Sequence, residues 1–133
     1  MYVDSGATET VMSEDMLRSI ALREGMAMKQ GVTYEVANGI RIANLGEKRF
    51  EGVTEDGGVK NITAQVCSVN KALLSVSKAV KAGNRVVFDD SGSFIENKES
   101  GERIWLKQQG GIYTLDVGVA PAGGAVFPWQ GPP

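Results

Sequence analysis

Histidine is absent from the 133 residues, and this narrows the available chemistry more than any other feature of composition. The chain cannot itself supply a Ser-His or Cys-His nucleophile pair, or a His-ligated zinc. Cysteine occurs once, at Cys67, so no internal disulfide can form, and an intracellular reducing compartment is the simpler setting. No apolar run approaches the roughly 20 residues that a membrane span needs, so none is expected. Met1-Tyr2-Val3-Asp4 lacks the basic region and apolar core of a secretory signal. Fourteen Lys and Arg against sixteen Asp and Glu give a net charge of −2 without a basic cluster, so nucleic-acid binding has no electrostatic footprint. No cofactor and no metal site is expected. Carboxylate chemistry remains, or none.

What is present reads as one mainly β domain. Tyr2-Val3 is extended and leads into a Gly-containing turn, after which Thr8, Thr10 and Val11 resume β character. Ser13 to Leu17 reads as a short helix, with Ser13 as its cap and Glu14 and Asp15 at its positive end. Tyr34 and Val36 alternate with polar neighbours up to Asn38-Gly39, a strong hairpin signal, and Ile40 and Ile42 continue beyond it. Ile62, Ala64 and Val66 alternate again after the turn at Glu55–Gly58. A second helix is predicted over Ser75–Ala82, closed by Gly83-Asn84. Short strands then alternate with Gly/Asn/Asp turns as far as Leu115, a spacing that predicts a small closed, barrel-like β fold with one or two short helices. The domain spans 1–118, and the Gly/Pro-rich stretch 119–133 reads as an extended tail without regular structure. Cys67 reads as a small buried strand residue, and Asn61-Ile62-Thr63 as a chance match to a glycosylation acceptor.

The triplet Asp4-Ser5-Gly6 has the make-up of a hydrolytic loop. A strand delivers the carboxylate, a hydroxyl can brace the loop, and a glycine allows close approach of a second loop. The triplet alone is weak evidence, because Asp90-Ser91-Gly92 repeats it between Phe88 and Phe94, where a turn between two strands is expected. Asp90 is therefore read as a turn residue.

Context separates the first copy from the second. The order Val3-Asp4-Ser5-Gly6-Ala7-Thr8, then Val36-Ala37-Asn38-Gly39, then Ala72-Leu73-Leu74-Ser75-Val76-Ser77-Lys78 resembles retropepsin-type aspartic proteases. The likeness is narrower to the protease region of Copia-type retrotransposon polyproteins. It continues through Ala82-Gly83-Asn84-Arg85-Val86-Val87-Phe88 and Gly110-Gly111-Ile112-Tyr113-Thr114-Leu115. The resemblance implies a retropepsin fold, with Asp4 as the catalytic acid and Ser5 and Gly6 shaping its loop. It also implies a substrate-binding flap at Ala37, Asn38 and Gly39, and places Leu73-Leu74-Ser75 where the family has two aliphatics and a glycine. The substrate would be a peptide or polyprotein. One chain offers one such aspartate, so the active form would be a homodimer.

An alternative is a catalytically silent member of the same fold, serving as an accessory or structural subunit of a larger assembly. It draws on the short lead-in to Asp4 and on Phe127-Pro128-Trp129, apolar residues in a Gly/Pro tail that could dock on a protein partner. A third reading is a peptide- or ubiquitin-binding adaptor that uses the groove without cutting.

Overall fold

The computed structural model describes residues 1–54 and 58–120, and the backbone of 127–129. Among these residues the fold is mainly β, with two short α-helices. Strand β1 (Tyr2–Asp4) is followed by the loop 5–10 and then by β2 (Val11–Met12). Helix α1 (Met26–Lys29) precedes a hairpin of β3 (Thr33–Glu35) and β4 (Arg41–Ala43). Two long strands, β5 (Gly46–Thr54) and β6 (Val59–Val66), form the central antiparallel pair. Strand β7 (Leu73–Ser75) runs directly into helix α2 (Val76–Lys81). The remaining strands are β8 (Asn84–Val87), β9 (Phe94–Asn97), β10 (Arg103–Trp105), β11 (Lys107–Gln109), β12 (Ile112–Thr114), β13 (Val117–Ala120) and β14 (Phe127–Trp129).

One nine-stranded sheet has the order β11-β12-β1-β7-β2-β6-β5-β13-β14. Strands β8–β10 form a three-stranded sheet, and the β3-β4 hairpin stands as a sheet of its own. The closed barrel predicted from the strand spacing is not found among the described residues. The large sheet has one edge at β11 and the other at β14, and these do not pair. Closure requires a consistent tilt and stagger around the whole ring, and strands of two to four residues outside β5 and β6 offer little ladder to carry it.

The core follows from alternation. Phe50 on β5, Ala64 and Val66 on β6, and Val117 and Val119 on β13 turn to one side. Met12, Leu17, Ile20, Ala72, Ile95, Ile104 and Leu115 join them in one buried cluster. Cys67 is buried just past the end of β6, and burial raises its thiol pKa, which makes it a poor nucleophile.

Two local expectations are corrected. The segment 13–17 forms tight turns, not a helix, and Leu17 has a left-handed φ of 57°. The reason lies in Lys48, which is fully buried and whose Nζ donates to the carbonyls of Glu14 (2.7 Å), Met16 (3.1 Å) and Leu17 (3.1 Å). Carbonyls turned toward one ammonium are not free for an i→i+4 ladder. The stretch from 119 onward also carries regular structure. Strand β13 runs through Val119, which is fully buried, and pairs with β5, while the backbone of Phe127–Trp129 pairs with β13. Gly118 between Val117 and Val119 leaves a strand with one apolar face, and Pro128 lies on the edge strand, where a missing N–H is tolerated. Residues 121–126 and 130–133 lie outside the described residues, as do the side chains of Phe127 and Trp129 proposed as a docking element. Among the described residues, no helix is long and apolar enough to cross a membrane.

Candidate functional site

Strand β1 ends at Asp4, and the chain then loops outward and returns as β2. Strand β7, about 60 residues later by numbering, inserts between the two: it pairs parallel with β1 and antiparallel with β2 at Val11↔Leu73. In the parallel register Tyr2 faces Leu73, Val3 faces Leu74 and Asp4 faces Ser75. Leu73-Leu74-Ser75 therefore lies alongside the strand that delivers Asp4.

The loop between β1 and β2 is clamped to Ser75. Its hydroxyl donates to the Ala7 carbonyl (2.7 Å) and accepts from Lys78 N–H (3.1 Å), which caps α2. The Ser75 N–H donates to Thr10 Oγ1 (3.0 Å). Ser75 and Thr10 are both buried, so these bonds are shielded from competing water. A glycine at position 75 could supply the N–H but neither hydroxyl contact. At the loop's outer end Lys78 pairs with Glu9 at 3.2 Å.

Asp4 is half-buried, whereas Ser5 and Gly6 are exposed. Asp4 Oδ1 accepts from Gly6 N–H at 2.8 Å. A Cβ on residue 6 would lie 3.3 Å from that oxygen, so glycine lets the backbone close tightly on the carboxylate. A groove of about 460 Å³ opens beside Asp4, and its lining includes Tyr2, Lys71, Leu73, Phe88, Ile112 and Tyr113. The Phe88 and Tyr113 rings pack at 4.7 Å between centroids. The groove is open to solvent, with mostly apolar walls and a few polar groups.

The hairpin around Asn38-Gly39 is present. Val36 N–H bonds to Ile40 O (2.9 Å), and both Asn38 (φ 81°) and Gly39 (φ 73°) take left-handed conformations in a 3-10 turn over Ala37–Gly39. At its base, buried Asn44 donates to Tyr34 OH (2.9 Å) and Gln65 Oε1 (2.8 Å) and accepts from Gly46 N–H (2.9 Å). Burial also raises the Tyr34 pKa, partly offset by the Asn44 bond. Neither Asn38 nor Gly39 lines the groove beside Asp4.

Asp90 lies in the exposed turn between β8 and β9, far along the chain from these elements. Among the described residues, no group of three or more His, Cys, Asp or Glu side chains is placed to hold a metal ion. The Ser75–Thr10 clamp and Lys71 were not singled out by the sequence motifs, and Phe88 belonged to a motif that carried no site role. A serine preceding a short helix is a recognisable cap signal, but its second bond, to Ala7, depends on a strand pairing that local sequence does not encode. Comparison of the chain with protein-family models, with curated proteins and with solved structures found no significant match in any of the three.

Proposed function

We propose that the chain is an aspartic endopeptidase of retropepsin type, of retroelement origin, in which two copies each contribute one Asp4. The observation that carries the reading is the insertion of β7 between β1 and β2, which backs the Asp4 loop with Leu73-Leu74-Ser75. That is where the resemblance expects an aliphatic pair. The half-buried Asp4 beside an apolar groove adds to it.

In this reading two Asp4 carboxylates meet across a two-fold axis. At roughly 3 Å apart they cannot both ionise readily, so the pair holds one proton, as aspartic proteases exemplify. The ionised member takes a proton from water as it attacks the peptide carbonyl, and the protonated member donates to the carbonyl oxygen. The protons belong to the pair, so activity should follow a bell-shaped pH profile on the acid side of neutrality. The hairpin at Ala37, Asn38 and Gly39 would swing over bound peptide, with its φ > 0 tip as the mobile end.

Asp4→Asn tests this directly: hydrolysis of a peptide library and binding of a pepstatin-like inhibitor should both be lost while the fold persists. Undiminished cleavage would reject the assignment. Sedimentation should show a dimer under the conditions of cleavage. A wild-type chain that neither cleaves nor pairs Asp4 with a second copy would point to the silent accessory subunit instead.

A further inference from the structure

Asp4 and Lys71 are the two charged side chains among the residues lining the groove. Asp4 lies opposite Ser75 on the β1-β7 ladder, and Tyr2 lies opposite Leu73, two residues back. At the rise of a strand this is about 7 Å. Lys71 sits at the Tyr2 end, its Nζ 4.7 Å from the centre of the Tyr2 ring. Other lysines are committed to oxygen partners: Lys78 to Glu9, Lys60 to Glu102, and Lys48 to three carbonyls. Among the described residues no carboxylate pairs with Lys71. Its ammonium is held on an aromatic face, which positions the charge without neutralising it.

We propose that this groove binds an extended peptide carrying a large apolar side chain beside the bond at Asp4 and an acidic side chain two residues further out, on the same face, and that Lys71 selects the acid. The placing of the scissile bond rests on the reading of Asp4 as catalytic. The preference itself rests on charge complementarity. Phe88, Tyr113, Leu73 and Ile112 give the apolar side chain its walls. A carboxylate next to Asp4 would be repelled, whereas one about 7 Å along an extended chain reaches Lys71. An exposed ion pair of this kind discriminates by about threefold to fivefold.

The test uses three fluorescent peptides alike except for Glu, Gln or Lys two residues out from a Phe at the bond. Their kcat/KM is measured with the wild type, Lys71→Met and Lys71→Glu. Their Kd is measured by anisotropy with the same Lys71 variants in an Asp4→Asn background. The expected order is Glu over Gln over Lys for the wild type, no order for Lys71→Met, and a reversed order for Lys71→Glu. An identical ranking in wild type and Lys71→Glu, or no saturable binding of any of the three, overturns the proposal. Failure of the Asp4 reading looks different: cleavage survives Asp4→Asn while the anisotropy ranking still follows residue 71.

Discussion

Asp4-Ser5-Gly6 and Asp90-Ser91-Gly92 are the same three residues in two settings. Both loops use the triplet's capacity for tight local hydrogen bonding. In the first, Asp4 Oδ1 takes the Gly6 N–H. In the second, Gly92 N–H bonds to the Asp89 carbonyl at 3.0 Å and Asp89 Oδ1 accepts from Ser91 N–H at 3.3 Å, so the neighbouring aspartate does the bracing. Their supports differ in reach. Ser75, about 70 residues away by numbering, holds the first loop, whereas the second is held by Ser93 Oγ, which accepts from Asp89 N–H at 3.1 Å. A turn that closes on its own neighbours serves only to reverse the chain. A loop tied to a distant strand holds its carboxylate in place beside a groove.

The sharpest way to break this contrast is to remove each carboxylate in turn. Asp4→Asn should lower peptide hydrolysis by about a thousandfold or more, some 4 kcal/mol of transition-state stabilisation. Asp90→Asn should leave kcat/KM within about twofold and stability within ~0.5 kcal/mol. Equal effects at the two positions would erase the distinction. The glycines come next. Gly6→Ala crowds the Asp4 oxygen at 3.3 Å and should depress activity about tenfold or more with little change in melting temperature. Gly92→Ala forces a Cβ onto a residue with φ 147°, at 2.8 Å from the Trp105 ring, and should instead cost about 1–2 kcal/mol of stability with activity retained.

The clamps can be compared in the same manner. Ser75→Ala removes a helix cap and orphans part of a buried network, for a loss of about 2 kcal/mol by urea unfolding. Ser93→Ala should cost about half as much, because Ser93 braces only its own turn. The smallest expected effect is electrostatic and belongs to the sheet around the second triplet. Glu96 on β9 bonds to Arg103 (2.8 Å) and Arg85 (2.7 Å), and these partners, Arg103 foremost, hold its carboxyl below its ordinary value of 4.5. A depressed carboxylate binds fewer protons folded than unfolded, so its contribution is present above about 4.5 and fades as pH falls through the folded value. Glu96→Gln should lower the melting temperature slightly at neutral pH, with the difference from the wild type closing as pH falls through the folded value and that part of the acid limb flattened.

Much of the strand pattern was legible because it is local. The Asn38-Gly39 hairpin, the stop at Gly83-Asn84 and the Gly110-Gly111 turn each rest on residues that take φ > 0 readily, and Gly39, Gly83, Gly110 and Gly111 all do so. The helix predicted over Ser75–Ala82 is present as Val76–Lys81, but the cap that Ser75 supplies was not read from the sequence. The segment 13–17 misled because its helix signals are real but lose to Lys48, a residue that charge alone would place on the surface. Burial of its Nζ lowers the Lys48 pKa, and three carbonyls compensate for the lost water. The edge pairing of β13 with β14 was hidden by proline and glycine, which argue against a central strand but not against an edge. In the candidate site, Asp4 and its glycine could be read from the triplet and its surroundings. Ser75 bonding to Ala7 could not, since contacts so distant in sequence leave no local trace.

The insertion of β7 between β1 and β2 also sets an order of assembly. The two strands flanking Asp4 are near neighbours in sequence, yet the ladder joining them is supplied only when residues 73–75 arrive. Closing a loop of that length comes late and slowly compared with local hairpins such as β3-β4 and β5-β6. On the ribosome, a chain shorter than residue 75 can already carry the aspartate, the glycine and the hairpin, but it lacks the strand that ties the Asp4 loop into the sheet. Any hydrolytic power in Asp4 would thus be withheld from the nascent polypeptide and released only when more than half of the domain has been made.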